Sequence, residues 1–168
     1  MGAAAIDGDT SGAPAIDGEI LVAGIDFAGW DTLNDTIMGG RSQGTCQVSS
    51  AGLLMDALVE PDGGGFVSCR SPMYAPPLDL SAYGALQLEL DGDGRRYKIA
   101  LACSDLITGL TAPLPGGLRW VAGFETTPSQ HQSIRIPFAS LRPSVQARPL
   151  DLPLRFPARR IERIQLLH

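Results

Sequence analysis

The sequence predicts an all-β domain, an antiparallel β-sandwich, and three observations lead there. From Ile20 onward, short apolar runs alternate with clusters of Gly, Pro, Asp and Ser at intervals of roughly eight to twelve residues, the rhythm of a sandwich or barrel. Several of the runs alternate apolar and polar residues, so one face of each would meet a core and the other water. The 20 glycines and 13 prolines are spread along the chain, and no long window repeats apolar residues at the three-and-four spacing of a helix.

Residues 1–19 are small, acidic and Gly-rich, with an Ala-Ile-Asp-Gly echo at Ala5 and Ala15. One echo makes no solenoid, so this stretch reads as a flexible or edge-strand lead-in, and 20–168 as a single sandwich domain. Strands are expected at 20–27, 44–49, 53–58, 66–71, 85–90, 97–103, 118–124, 133–137 and 160–166. In Leu86-Gln87-Leu88-Glu89-Leu90 the leucines share one face, and Tyr97, Ile99 and Leu101 repeat the pattern. Between these two runs, Asp91-Gly92-Asp93-Gly94-Arg95-Arg96 tolerates positive φ, which predicts a hairpin. Residues 104–118 are irregular and read as a long loop. Ile161, Ile164 and Leu167 suit one helical turn about as well as a strand.

Composition narrows the function classes. At 44% hydrophobic and 18% charged, the 168 residues can build a core and carry too little charge for a disordered chain. The net charge of −5, with Lys98 the only lysine beside twelve arginines, gives no general attraction to nucleic acid or anionic lipid. DNA is not expected as a partner, and a small basic cluster at Arg155, Arg159, Arg160 and Arg163 is too slight to argue for RNA. The three cysteines, Cys46, Cys69 and Cys103, fit neither a disulfide framework nor a zinc pattern and are read as small core hydrophobes. No secretory signal or membrane-length apolar run is visible. The expected location is cytoplasmic, with peripheral association to an energy-transducing membrane left open.

A search for chemistry finds no constellation. His131 and His168 neighbour no metal or nucleophile motif, and Gly-x-Ser-x-Gly, Walker and His-Glu-x-x-His patterns are lacking. Gly92 and Gly94 follow a strand, but no third glycine and no helix comes after them. Asp91 and Asp93 begin like a calcium loop, yet Arg95 and Arg96 stand where further oxygen ligands belong. Asp31 and Asp35 form a second acidic pair with nothing to set them across a cleft. The expectation is therefore no enzyme, no cofactor and no metal.

Four segments then carry a resemblance. Trp30-Asp-Thr-Leu-Asn34-Asp35-Thr-Ile-Met38-Gly39-Gly40-Arg41-Ser42-Gln43-Gly44 is similar to the signature near the start of the complex I intermediate-associated protein 30 domain. In the family's order follow Gly63-Gly64-Gly65-Phe66-Val67-Ser68-Cys69-Arg70, then Asp79-Leu80-Ser81 with 86–97, then Ile134-Arg135-Ile136-Pro137-Phe138. The resemblance spans roughly 25–166. It implies a jelly roll of the galactose-binding-like type, no catalysis, and a chaperone-like assembly role whose partners are protein subunits of a respiratory or photosynthetic complex. Arg41 and His131 depart from the pattern. The chain also stops where relatives continue into a closing strand, which predicts an open sheet edge.

The resemblance singles out Trp30, Asn34, Asp35, Met38, Gly39, Gly40, Ser42, Gly64, Gly65, Phe66 and Arg70. Gly39-Gly40 is expected to supply positive φ or close backbone approach. Trp30 and Met38 are expected to pack beneath it, the indole N–H finding an acceptor. Asn34 and Asp35 would accept backbone N–H groups, and Arg70 would pair bidentately with Asp35. Either this network merely fixes the loop, or it forms a recognition patch. Two functions follow: a protein-interaction module for assembly, and, from the jelly roll, a carbohydrate-binding module. Aromatics at 6% are few for a sugar platform.

Overall fold

The computed structural model describes residues 26–60, 65–104, 117–145 and 148–168. Among these residues, eleven strands and two short 3₁₀ turns follow in order: β1 (Asp31–Asn34), a turn at Asp35–Met38, β2 (Gln43–Ser49), β3 (Gly52–Leu58), β4 (Val67–Arg70), β5 (Ala85–Asp91) and β6 (Arg96–Cys103). β7 (Leu118–Glu125), β8 (His131–Pro137), a turn at Phe138–Ser140, β9 (Arg142–Val145), β10 (Arg148–Pro149) and β11 (Ile161–Leu167) complete them. Seven strands form one antiparallel sheet in the order β1-β4-β11-β6-β7-β9-β10, while β2-β3 and β5-β8 are separate antiparallel pairs. Alternation explains the layering. Leu86, Leu88 and Leu90 of β5 are buried, as are Leu53 and Met55 of β3, and both sets meet Val67, Ile99, Leu101, Trp120, Ile161 and Ile164 of the large sheet in one core.

Eight of the nine expected strands coincide with observed ones. Of the ninth, 20–27, only Asp26 and Phe27 are described, and neither is in a strand. The lead-in at 1–19 and most of the long loop, 105–116, lie outside the described residues. β1, β9 and β10 were not expected; they are two to four residues long, too short for alternation to show, and Pro143 and Pro149 disguise the last two.

Three expectations are corrected. The predicted hairpin does not form, because β5 pairs with β8 and β6 with β7 and β11, so residues 92–95 carry the chain from one layer to the other. Alternation shows which face of a strand is buried but not which strand lies beside it. Cys46 and Cys69 are not free thiols but a disulfide joining β2 to β4. Sequence spacing does not reveal that β2 runs against the β1–β4 pair, where Cys46 N–H donates to Thr32 Oγ1 (2.8 Å) and Thr32 is the register partner of Cys69. Finally, the last strand, β11, does not border an open edge: it sits between β4 and β6 inside the seven-stranded sheet, whose own edges among the described residues are β1 and β10.

Candidate functional site

The signature loop leaves β1 at Asn34 and returns in β2. Asp35 N–H donates to the Phe66 carbonyl (3.1 Å), which fixes the start of the turn to the entry of β4. The turn ends at Gly39, with φ +86°, and Gly40 N–H closes it on the Asp35 carbonyl at 3.1 Å. Beneath the turn the Asp35 carboxylate, 4% exposed, accepts both the Ser42 N–H (3.0 Å) and the Ser42 hydroxyl (2.6 Å). The Ser42 oxygen, itself fully buried, accepts the Glu60 N–H at 3.1 Å. A buried carboxylate with no cation beside it survives only because such donors replace its water.

Two glycines enclose that carboxylate. A Cβ on Gly40 would lie 2.2 Å from Asp35 Cγ. One on Gly65 would lie 2.1 Å from the Glu60 carbonyl oxygen and 2.6 Å from Ser42 Oγ. The Gly-Gly of the signature therefore divides its labour: Gly39 supplies the left-handed φ and Gly40 the close approach. Gly64 lies outside the described residues.

Other signature residues stand elsewhere than expected. Arg70 does not reach Asp35; it pairs bidentately with Asp31, its register partner across β1–β4, Nε to Oδ1 at 2.9 Å and Nη2 to Oδ2 at 3.2 Å. The hydrogen bond from Arg70 holds the Asp31 carboxyl below its ordinary value. With Asp31 more than half exposed, that pair is worth at most about 1 kcal/mol. Trp30 is buried and packs edge-on against Phe27, ring centroids 5.2 Å apart, but its Nε1 has no hydrogen-bond partner. Asn34 is a donor rather than a cap, giving Nδ2–H to the Gly44 carbonyl at 3.1 Å. Met38 does not pack beneath the loop: it is 78% exposed, and its neighbour Ile37 is 67% exposed. The last two residues of the turn, Ile37 and Met38, are thus held on the solvent side while its first, Asp35, points inward.

The loop is thus a stiff polar base carrying an apolar tip. Sequence reasoning missed the second half of the base. Ser68 Oγ donates to the Leu33 carbonyl (2.7 Å) and accepts from Gln165 Nε2 (2.9 Å), which ties β1, β4 and β11 together. Nothing local to Gln165 signals this, because its partner is 97 residues away. Among the described residues no cluster of His, Cys, Asp and Glu is disposed to hold a metal ion.

The family model for complex I intermediate-associated protein 30 matches residues 21–168. The chain belongs to that family. Comparison with curated proteins gives no match. Among solved structures, the chain is similar to the family 11 carbohydrate-binding module of the cellulosomal cellulase Lic26A-Cel5E of Clostridium thermocellum, with TM-score 0.58 and 17% identity over 83% of this chain and 78% of that one. It is equally similar to the family 11 module from Clostridium thermocellum in complex with a β-1,3-1,4-mixed-linked tetrasaccharide, with TM-score 0.60 and 17% identity over 86% of this chain and 84% of that one. At that identity the likeness speaks to fold alone. The domain of this complex I intermediate-associated protein 30 relative is a jelly-roll sandwich.

Proposed function

We propose that this chain is a non-enzymatic protein-interaction module that helps assemble or stabilise a multisubunit respiratory or photosynthetic complex, gripping a partner subunit through Ile37 and Met38. Membership of the complex I intermediate-associated protein 30 family supports an assembly role. The observation that carries the reading is the pairing of a fully satisfied buried base at Asp35 and Ser42 with two adjacent apolar side chains held out to solvent. An unbranched thioether beside a branched aliphatic suits a surface that must fit a partner's apolar face. Because the base is already rigid, little conformational entropy is lost when the tip docks. No helix among the described residues is long and apolar enough to cross a membrane.

The test is affinity capture from native cells with the tagged chain, beside a Met38→Asp variant that leaves the base intact. The expected result is one defined set of subunits retained by the parent and lost by the variant. Capture of no protein above background would sink the reading.

The fold supports a second reading, a carbohydrate-binding module. Sugar platforms need exposed aromatic faces, and both tryptophans are buried, Trp30 at 7% and Trp120 at 2% exposure. A glycan array without hits would dispose of it.

A further inference from the structure

Beside β7 and β9, which β11 and β6 separate from β1 and β4 in the large sheet, a cleft of about 330 Å³ opens between β7, the turn after β8 and the segment 154–158. Its wall is aromatic: Trp120 meets Phe156 edge-on at 5.6 Å, and Phe138 meets Phe156 at 5.0 Å. Arg142 and Arg155 stand at the rim, both exposed. Neither forms an ion pair among the described residues; Arg142 reaches only the Ala139 carbonyl, at a long 3.4 Å. Trp120, 2% exposed, is one of the residues that line the cleft, and its Nε1–H is closed from solvent with no hydrogen-bond partner among the described residues.

Every polar side chain that lines this cleft is a donor, since indole and guanidinium groups have no acceptor to offer. A sugar, whose hydroxyls must both give and take, matches such a lining poorly. An occupant that only accepts, carries negative charge and has an apolar body matches it well: a carboxylate on a hydrophobic stem. The volume lies at the small end for ligand sites, the size of a single residue rather than of an extended oligomer. Exposed Leu152 lies two residues before this segment and adds apolar surface at its approach.

We propose that the cleft takes the free C-terminal carboxylate of a partner polypeptide whose last side chain is large and apolar. The side chain stacks on Phe138 and Phe156, while Arg142 and Arg155 bind the carboxylate by charge-assisted hydrogen bonds. This inference rests on the protein-interaction reading, because it assigns the occupant to a protein, but it concerns a surface distinct from Ile37 and Met38.

The experiment uses the full chain and the probe acetyl-Ala-Ala-Phe with a free C-terminus. Its amide and 3-phenylpropanoate serve as comparisons. The readout is the Trp120 indole N–H resonance, identified by its loss in Trp120→Phe. The free acid is expected to shift that resonance saturably. The amide should bind at least about tenfold more weakly, as should the free acid to the Arg142→Gln/Arg155→Gln double variant, whose melting temperature stays unchanged. No shift with the free acid, equal binding of acid and amide, or full binding by the double variant overturns the proposal. So does 3-phenylpropanoate binding as tightly as the peptide, which would make a small acid the ligand. All of these readings are made on the isolated chain, so their failure leaves the capture experiment at Met38 standing, and the reverse.

Discussion

The connection at 35–42 and the connection at 92–95 are built from the same residue types, and they differ in where the carboxylate sits. Asp35 lies under its turn, closed from water, with both donors supplied by one serine. Asp93 lies on its turn, its side chain about two-fifths exposed, and takes the Arg95 N–H (3.0 Å), the Tyr97 hydroxyl (2.8 Å) and the Thr126 hydroxyl (3.2 Å). The first carboxylate has no water to fall back on if a donor is lost; the second does. Burial, and not the number of hydrogen bonds, therefore decides which loop the fold depends on.

The largest expected effect is that of Asp35→Ala. It strands the Ser42 N–H and hydroxyl in a closed site, which costs about 3–5 kcal/mol against a typical domain stability of about 5–15. A melting-temperature drop of about 10 °C is expected. A loss below about 1 kcal/mol would mean that water enters the site and would erase the contrast with Asp93.

Next comes the glycine pair. Gly40→Ala places a methyl group against the Asp35 carboxyl carbon and is expected to cost about 2–3 kcal/mol by overpacking. Gly39→Ala meets no atom within 4 Å and suffers only the left-handed φ, about 1 kcal/mol. Chemical denaturation of the two variants should rank them in that order. The reverse order would show that backbone conformation, rather than room for the carboxylate, explains the dipeptide.

Much of this is legible in the sequence. Period-two alternation placed the buried faces of β5 and β6, since Leu86, Leu88, Ile99 and Leu101 have no room for another arrangement. The Gly-Gly pair marked the loop's tight point, because only glycine serves there. What could not be read was pairing across distance. Charge alone pairs Arg70 with Asp35, whereas β1–β4 register sets it opposite Asp31, and two cysteines of core character meet as a disulfide 23 positions apart. Local patterns report burial, while partners are chosen by topology. Met38 differs for another reason: it closes a single short turn whose first residue, Asp35, points inward, and the turn leaves Ile37 and Met38 on the solvent side.

The smallest effect belongs to Asp93 and depends on pH. Partial burial works to raise its pKa, but hydrogen bonds from Tyr97, the Arg95 N–H and Thr126 outweigh that, so it titrates below its ordinary 3.8. A depressed folded pKa gives stability that is present above the unfolded value and lost as pH falls through the folded one. Tyr97 moves the other way: burial first, then the bond to Asp93, raise its pKa above 10, so its contribution holds below pH 10 and fades above it. Asp93→Asn should thus cost about 1 kcal/mol near neutrality, discounted for exposure. The gap from the parent should close below about pH 4. Above pH 10 it should narrow only partly, because burial of Tyr97 survives the substitution. Urea titrations of both proteins at acid, neutral and alkaline pH measure these three gaps. A gap that persists in acid would mean that Asp93 acts through its shape and not its charge, and the two connections would then differ in degree alone.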